Sequence, residues 1–546
     1  MKKLLAFLII AISATAFIGL NNSSESNENN SNSGKQIFTF KRTISQTDNA
    51  SEIVRAADVM EVDFAVVRDL IRTSPNELTV EIPSSNGKNH LLELKRSYPL
   101  SEDFKLTSKS GSATYPVNFK DGLHFSGKIN SRPNSIATIS FFEGMVMGVL
   151  SDESGNFVLG PLKGDNGVPT GEYVFYNDVD LLSNSGFVCG VEGREERFIL
   201  PVVKSNDNSG GTDNPARLPV KVYFEADYQT YLDKGSNIQD VANYISGMYN
   251  SVQAIYQAEN LATSVSNIAV WTGADPYRNL NQSDQILFAF GSNTKDNFQG
   301  NLAHLISTRS GGLGGIAWIN VLCAQYEQSS QAGRFAFSNI ESTYNNFPTY
   351  SWTINVVTHE MGHNLGSRHT HSCTWPVGNG GALGAIDSCY NAEGGCFPNP
   401  RPRIGTIMSY CHLWPTNQGG GVNLASGFGP LPGDTIRLRY SQAACLDREL
   451  NSSERPVTYS LKQNHPNPFN PSTVISFTVP EVSNVTMSIY DMSGKLVAEL
   501  ISSKLHEPGF YDISFNAAAF GLSSGIYFYR MQAGGYVETK RMAMVK

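Results

Sequence analysis

The segment at residues 359–369 constrains this chain more than any other, because it reads H-E-x-x-H-x-x-G-x-x-H. On a helix, His359 and His363 are four residues apart and project from one face, where two imidazoles can share a metal ion. Gly366 can adopt a backbone conformation closed to other residues, end the helix and let the chain return His369 as a third ligand. The segment therefore predicts a helix and a tight reversal around a metal.

The chemistry of this ligand set indicates catalysis. Three nitrogen ligands leave one position of a tetrahedral zinc ion open to water, which is typical of catalytic and not of structural sites. Zinc lowers the pKa of that water to about 7 and polarises a carbonyl group. Glu360 is then the expected general base, which takes a proton from the water and later gives it to the leaving amine. The alternative is an ordinary helix with two surface histidines, and the added glycine and third histidine argue against it.

The length and charge of the chain bound its organisation. A chain of 546 residues exceeds what one hydrophobic core supports, so three or four domains are expected. The net charge of -8 gives no indication of a nucleic-acid partner. Charged residues make up only 16 % of the chain, which suits an extracellular, strand-rich protein with many turns.

The first residues have the features of a secretory signal. Two lysines are followed by an apolar run and small residues, which predicts a signal peptide over residues 1–16. An uncleaved membrane anchor is the alternative, because the apolar run continues to residue 20, although its span is marginal for a bilayer. Residues 17–34, mostly Asn, Ser and Glu, are expected to form a disordered spacer. No further membrane-spanning candidate occurs in the sequence.

The seven cysteines are unevenly distributed. In an exported chain they imply disulfides, and an odd number leaves one thiol over. Cys189 stands alone upstream of the histidine motif. The pairing among the other six is open, with fifteen arrangements. These six are Cys323, Cys373, Cys389, Cys396, Cys411 and Cys445.

Residues 35–203 alternate apolar and polar side chains between Gly, Asn and Asp turns, which predicts a β-rich domain. Cys189 lies near its end, and a thiolate there could occupy the open zinc position in place of water. A buried free cysteine without a role is the alternative. Residues 204–217 are polar and contain glycine, so they are expected to form a linker suited to proteolytic cleavage.

Strand and helix patterns alternate over residues 218–450, which predicts an α/β sandwich on a mixed sheet. Ser236 and Gln239 are spaced as a capping box that opens a helix. The glycine run at residues 311–315 lacks the Gly-Lys-Ser/Thr ending of a phosphate-binding loop, so that function is rejected. Strands are predicted at residues 220–224, 267–271, 302–307 and 316–321, and helices at 284–290 and 353–365.

Residues 405–410 read Gly-Thr-Ile-Met-Ser-Tyr, and with the histidine motif they make residues 218–450 resemble the metzincin clan of zinc proteases. The resemblance implies that Met408 forms the Met-turn, an apolar floor beneath the imidazoles that does not bind the metal. It implies that Tyr410 approaches zinc and stabilises the oxyanion, as the corresponding tyrosine does in the astacin and serralysin branches. It also makes the segment around residues 311–318 the sheet edge along which an extended substrate pairs.

Fewer residues indicate the branch of the clan. Asn364 and the Cys445-Leu446 pair resemble the reprolysin, or adamalysin-type, branch. Reprolysins usually carry Asp after the third histidine, where this chain has Thr370, and a His-Thr pair is similar to the pappalysin branch. A reprolysin-like protease is therefore the prediction, with a pappalysin-like one as the alternative. The reprolysin resemblance also implies a disulfide between Cys323 and Cys445.

Two more histidines, His371 and His412, follow the motif and are expected to be solvated loop residues. The segment at residues 373–403 is rich in Gly, Pro and Cys. It predicts a loop-built region that needs disulfides for rigidity.

Two stretches before the linker resemble parts of a zymogen. Residues 124–148 resemble the propeptide of reprolysin-type metalloproteases, so residues 35–203 are identified as a prodomain. Phe-Val-Cys-Gly-Val around Cys189 resembles the cysteine switch of metzincin zymogens, and the odd cysteine count leaves six to pair. The resemblance implies a latent precursor activated by cleavage in residues 204–217.

After a linker at residues 451–462, short strands and turns over residues 463–546 predict a small β-sandwich. An accessory carbohydrate- or protein-binding module is the alternative. The Asn-Pro-Phe-Asn-Pro lead, the Ser-Gly-Ile-Tyr-Phe-Tyr strand and the basic end resemble the C-terminal sorting domain of the type IX secretion system. The resemblance implies passage through the periplasm of a Bacteroidetes-type Gram-negative bacterium to its surface or the medium, with the type IX machinery as a partner.

The chain is thus predicted to be a secreted zinc endopeptidase that acts on protein or peptide substrates and holds one catalytic Zn²⁺. The rival from another class is a zinc-binding surface module or adhesin whose hydrolytic activity has lapsed. The sequence leaves substrate preference, oligomeric state and any need for Ca²⁺ open.

Overall fold

A computed structural model of the chain describes residues 36–44, 48–164, 168–182, 189–192, 218–340, 347–378, 381–414, 420–446, 458–506 and 509–545. The predicted signal peptide, spacer and activation linker lie outside these residues, as do residues 451–457 of the second linker. Within the described part of the chain, no helix combines the length and the apolar character needed to cross a membrane.

Residues 36–182 are built mainly from antiparallel strands, which confirms the predicted β-rich character. Nine of these strands form one sheet in the order β1-β2-β11-β10-β9-β8-β7-β4-β3. One helix, α1 (Phe64–Thr73), begins where the Asp63 side chain accepts the backbone N–H groups of Ala65 and Val66. The strands of this part, followed by the short strand β12 further along the chain, are β1 (Phe38–Thr43), β2 (Asp58–Val62), β3 (Glu77–Ile82), β4 (His90–Arg96), β5 (Leu100–Ser110), β6 (Ala113–Val117), β7 (Leu123–Ile129), β8 (Arg132–Phe141), β9 (Val146–Asp152), β10 (Gly155–Lys163), β11 (Pro169–Asn177) and β12 (Gly190–Glu192).

A second, mixed sheet of eight strands is centred on residues 218–340, in the order β12-β16-β17-β15-β13-β14-β5-β6. Its central pairs are parallel, whereas β16 runs antiparallel to β17. Its two ends are completed by strands from the preceding segment, because β5 and β6 extend one edge and β12 the other. Its remaining strands are β13 (Val220–Ala226), β14 (Thr263–Trp271), β15 (Leu302–Ser307), β16 (Gly315–Trp318) and β17 (Phe335–Asn339).

The helices of this part lie mostly where the sequence predicts them, with one correction. The predicted capping box at Ser236 is wrong, because Ser236 adopts a left-handed conformation with φ of 54° and Asn237 caps the helix instead. The Asn237 side chain accepts the backbone N–H of Gln239 at 2.9 Å, which leaves the serine no capping role. The helices are α2 (Tyr228–Asp233), α3 (Ile238–Ala258), α4 (Ser283–Thr294), α5 (Tyr350–Asn364) and α6 (Pro430–Gln442).

The two sheets share one apolar core. The helix α3 is buried on both sides, since it contacts β14 of the mixed sheet and β8 of the antiparallel sheet. The apolar core therefore contains side chains of both sheets and of the helices between them. Its members include Val149, Val158, Val174, Val222, Val252, Ile268, Ile354 and Val357.

Residues 458–545 form a β-sandwich with its own apolar core, as predicted. One sheet has the order β18-β19-β22 and the other the order β21-β20-β23-β24. The strands are β18 (Ser460–Leu461), β19 (Ser472–Val479), β20 (Ser483–Tyr490), β21 (Leu496–His506), β22 (Gly509–Asn516), β23 (Gly525–Ala533) and β24 (Tyr536–Met544).

Candidate metal centre

Helix α5 carries His359 and His363 on one face and ends at Asn364. Gly366 then adopts a φ of 97°, the left-handed conformation that the sequence predicts there. Its N–H donates to the carbonyl of His363 at 2.8 Å, so the helix end is satisfied while the chain reverses. The reversal brings His369 back to the two helical histidines.

The Nε2 atoms of the three histidines converge. His363 Nε2 lies 3.1 Å from His359 Nε2 and 3.2 Å from His369 Nε2, and all three rings are buried. A tetrahedral zinc ion with Zn–N distances of about 2.0–2.1 Å separates its nitrogen ligands by roughly 3.3 Å. The spacing of these three nitrogens therefore fits one zinc ion.

The other ring nitrogens fix the tautomer that metal binding requires. Each Nδ1 faces an oxygen acceptor, so it carries the hydrogen and leaves the Nε2 lone pair free. Burial lowers the pKa of all three histidines, to about 4 for His369, which keeps the rings neutral near pH 7. The acceptors are Ile407 O for His359 at 2.8 Å, Ser367 O for His363 at 2.8 Å and Glu393 Oε1 for His369 at 2.9 Å.

The buried thiol of Cys189 completes the cluster. The Sγ atom and one nitrogen of each of the three histidines all lie within 4.8 Å of one another. The Sγ is also 3.3 Å from Glu360 Oε2, and burial together with this carboxylate raises the pKa of the thiol well above its ordinary value. The structure thus brings the isolated cysteine to the fourth side of the three histidines.

Cys189 is held there by backbone contacts as well. The strand β12, which follows it, pairs parallel with β16, the strand predicted as the substrate edge. The Tyr410 hydroxyl donates to the carbonyl of Cys189 at 2.6 Å. Backbone of the preceding segment therefore covers the sheet edge beside the three histidines.

Glu360 is fully buried next to the histidines, and burial raises its pKa well above the ordinary value. A Cβ atom added at Gly315 would overlap Glu360 Oε1, so the backbone at the start of β16 approaches the carboxylate as only glycine allows. The last glycine of the run at residues 311–315 is therefore a close-approach position. The sequence did not reveal this role, because it depends on a residue 45 positions away.

Met408 lies beneath the histidine helix. A Cβ atom added at Gly362, between the two helical histidines, would come 2.8 Å from Met408 Sδ. The backbone N–H of Thr370, next to the third histidine, donates to Met408 O at 3.1 Å. The residue predicted as the Met-turn thus contacts both arms of the motif.

The expectation that His371 and His412 are solvated is wrong, since they are only 0 % and 8 % exposed. The His371 ring stacks on His369 with 4.8 Å between ring centroids, and His412 packs against Tyr410 at 5.6 Å. The physical reason is that the segment from residue 371 to residue 414 folds back over the site. Disulfide bonds hold it there, so its imidazoles become part of the wall.

Three disulfides pair the six cysteines near the motif. The Cys323–Cys445 bond implied by the reprolysin resemblance is confirmed. The other two, Cys373–Cys396 and Cys389–Cys411, close loops around the metal centre. Cys189 is left as the free thiol.

Glu393 is a site residue that the sequence did not indicate. Its Oε1 lies 2.9 Å from His369 Nδ1 and 3.3 Å from His371 Nε2. Burial raises the pKa of Glu393, but its hydrogen bonds to the two imidazoles outweigh that effect and leave the pKa below its ordinary value. The loop closed by Cys373–Cys396 carries this carboxylate to the third histidine.

Two family models match the chain. Residues 218–418 match Metallo-peptidase family M12, and residues 464–545 match the secretion system C-terminal sorting domain. Among solved structures, metalloproteinase-II from Bacteroides fragilis aligns at 12 % identity over 56 % of this chain and 85 % of its own, with a TM-score of 0.33. The latent dimeric PorU from Porphyromonas gingivalis aligns at 22 % identity over 16 % of this chain and 10 % of its own, with a TM-score of 0.14.

Proposed function

Since residues 218–418 are a family M12 metallopeptidase domain and residues 464–545 are a sorting domain, we propose a zinc endopeptidase made as a latent zymogen. The M12 domain makes the chain a metalloendopeptidase, and the sorting domain indicates secretion or display at the surface of a Bacteroidetes-type bacterium. One observation carries the proposal. The Cys189 thiol meets the convergent nitrogens of His359, His363 and His369.

The donor set favours zinc. Three neutral imidazoles with their Nδ1 hydrogens donated to oxygen acceptors, and a thiol as the fourth group, are ligands that zinc prefers. When bound, zinc supplies a Lewis acid and lowers the pKa of water at the open position. In the precursor the Cys189 sulfur would occupy that position and keep water from it, which is the chemical basis of the proposed latency.

Glu360 is the proton carrier of the proposed reaction. It lies next to the first histidine and its carboxylate reaches the Cys189 sulfur at 3.3 Å, so it faces the position that water takes after activation. Burial raises its pKa, which makes it a stronger base than an exposed glutamate. It accepts a proton from the attacking water and delivers it to the leaving amine.

The substrate has a natural place in this arrangement. With β12 withdrawn, β16 becomes a free sheet edge beside Glu360, and an extended peptide can pair with it through main-chain hydrogen bonds. Tyr410 then releases the Cys189 carbonyl, and its hydroxyl becomes available to the oxyanion that forms on the scissile carbonyl.

Metal analysis of the activated protein tests the zinc site. We expect one zinc per chain, with zinc and casein hydrolysis both lost in His363→Ala. His304→Ala is the matched control, because His304 is also buried but lies in β15, where its Nε2 faces Ser338 Oγ. Zinc retained at full stoichiometry by His363→Ala would refute the proposed ligand set.

Glu393 is proposed to orient His369 and so to raise metal affinity. Glu393→Ala removes the acceptor of the His369 Nδ1 hydrogen, and loss of such a partner typically lowers affinity about 10- to 100-fold. Competition with a zinc chelator measures this effect. Glu393→Gln keeps an acceptor oxygen and should restore most of the affinity.

The control for Glu393 is Asp240→Asn, which removes one negative charge from an exposed position on α3 and should leave zinc affinity unchanged. An affinity in Glu393→Ala equal to that of the wild type would show that His369 needs no such partner.

A further inference from the structure

We infer that residues 36–182 remain bound to residues 218–446 as a non-covalent subunit after the chain is cut between them, and keep Cys189 at the metal centre. The catalytic unit thus has a docking surface whose occupant is its own prodomain. The part of this inference that concerns latency rests on the zymogen function proposed above. The part that concerns binding rests on the interface alone.

The first support is a continuous sheet. The strand β5 pairs parallel with β14 from Val265 to Trp271, and β6 extends the sheet beyond it. Every residue of β14 is buried in the intact chain. Loss of β5 would uncover the unpaired N–H and C=O groups along one side of a strand that is buried in the intact chain, an open sheet edge of the kind that proteins normally cover.

The second support is a buried ion pair between the two parts. Glu225 in β13 is fully buried, and Lys109 of β5 places its Nζ 2.7 Å from Glu225 Oε2. Tyr223, Trp271 and Tyr277 also donate to this carboxylate, but they are neutral. Departure of the prodomain would leave a buried carboxylate without its cation, which is strongly destabilising.

The third support is the fit of the antiparallel sheet against the helices. A Cβ atom added at Gly160 of β10 would come 2.7 Å from the Tyr350 ring and 2.8 Å from Pro348 Cβ. Buried hydroxyls also meet across the boundary, where Thr138 Oγ1 lies 2.6 Å from Ser251 Oγ. The backbone of Gly160 thus packs so closely that no larger side chain fits there, and packing of this density is typical of a protein interior.

The fourth support is a set of buried hydrogen bonds to the loop that precedes α6. Polar groups of β9 and β10 bond to backbone and side-chain groups of residues 422–425. These bonds are Asn156 Nδ2 to Val422 O at 2.7 Å, Asn423 Nδ2 to Asp152 O at 2.6 Å, Leu424 N to Asn156 Oδ1 at 2.9 Å and Ala425 N to Ser151 Oγ at 2.9 Å.

The bound prodomain keeps Cys189 near the three histidines because only a short chain segment connects them. Only seven residue steps separate Leu182 from Cys189, a reach of at most about 25 Å. A short tether gives a local concentration on the order of millimolar. A single cut after residue 192 therefore leaves the thiol at the histidines, and release of the site requires a further cut before Cys189.

The test uses the full precursor with a recognition sequence for a site-specific protease placed within residues 205–215. After the cut, size-exclusion chromatography should show both fragments in one peak at equal amounts, with casein hydrolysis no higher than before the cut. Separate elution of the wild-type fragments, or full hydrolysis after this single cut, would overturn the inference.

Variants on the prodomain sharpen the test without changing the catalytic unit. Gly160→Val should shift the cut fragments into separate peaks, whereas Gly144→Val, at an exposed turn with open space around it, should not. If the Gly160→Val precursor does not fold, Lys109→Met is the second interface variant, and it should also promote separation. Interface variants that co-elute as fully as the wild type would contradict the interface described here.

The same cut made in a Cys189→Ala precursor separates this inference from the proposed function. Hydrolysis by that variant shows that the enzyme is competent. If the cut protein stays inert even after the prodomain and β12 have been removed, while the wild-type fragments still co-elute, the protease function fails and the subunit inference stands.

Discussion

Replacing Cys189 with alanine should give a precursor that hydrolyses casein before any cut is made in residues 193–217. The sulfur of Cys189 lies within 4.8 Å of a nitrogen of each of the three histidines, and it also contacts Glu360. Interactions with charged groups contribute about 1.5–3 kcal/mol, so their loss should raise precursor activity roughly 10- to 100-fold. Initial rates on casein, measured on uncut precursors purified side by side, give the ratio.

A second variant, Cys189→Ser, separates the effect of the sulfur from that of side-chain size. It preserves the size but offers a hydroxyl in place of the soft sulfur ligand. It should also lose latency, since the proposed switch depends on a sulfur ligand for the metal and not on the shape of the side chain. A Cys189→Ala precursor as inert as the wild type would reject the switch. The pairing of β12 with β16 would then be the main obstacle to substrate binding in the precursor.

Replacing Glu360 with glutamine should lower kcat by about 10²- to 10⁴-fold, which is the usual contribution of a general base. Glutamine has nearly the same shape, so it fits beneath the close backbone of Gly315, but it cannot accept the proton of the attacking water. Zinc content should be unchanged, because the three histidines supply the metal ligands. The measurement is kcat on a fluorogenic peptide after complete removal of the prodomain, together with metal analysis.

A Glu360→Gln enzyme with a kcat close to that of the wild type would remove Glu360 from the mechanism. Loss of zinc along with activity would instead make Glu360 a contributor to the metal site. Glu360→Ala adds a second comparison, because it deletes the carboxylate without any amide in its place. Both variants should be equally slow if proton transfer is the function of this residue.

Local spacing allowed the metal centre to be predicted. The helix with two histidines four residues apart, the positive φ of Gly366 and the return of His369 all follow from the properties of neighbouring residues. The packing of Met408 against Gly362 was anticipated only through the family resemblance, because a methionine in an apolar run is ordinarily a core residue.

Other site features depend on contacts between distant positions. Glu393 reaches His369 because a disulfide loop returns it, and nothing in the sequence around Glu393 marks it as a partner. The burial of His371 and His412 has the same origin. Polar residues in a Gly- and Pro-rich segment are usually solvated, and only the folded loop covers them.

The sheet assignment of the strands in residues 36–182 could not be predicted from the sequence either. The alternation in residues 35–203 predicts strands but does not assign them to a sheet. The hairpin of β5 and β6 joins the mixed sheet, whereas its sequence neighbours join the antiparallel sheet. Pairing between strands distant in sequence depends on the tertiary fold, which period-two patterning does not encode.

The Thr370 position bears on the branch of the clan. Its backbone N–H, not its side chain, makes the shorter contact with Met408 O, at 3.1 Å against 3.4 Å for the hydroxyl. The link between the segment of the third histidine and Met408 is therefore available to any residue with a free N–H at this position. Aspartate is not required there for the geometry seen in this chain.

Hydrolysis of casein by the fully activated protein, before and after treatment with a zinc chelator, tests the central claim most directly. We predict that the wild-type enzyme cleaves casein, that the chelator abolishes cleavage as zinc leaves the three histidines, and that added zinc restores it. Protein that binds one zinc and is free of its prodomain, yet is as inert as its Glu360→Ala variant on casein and gelatin, would contradict the claim. The chain would then be a zinc-binding surface module.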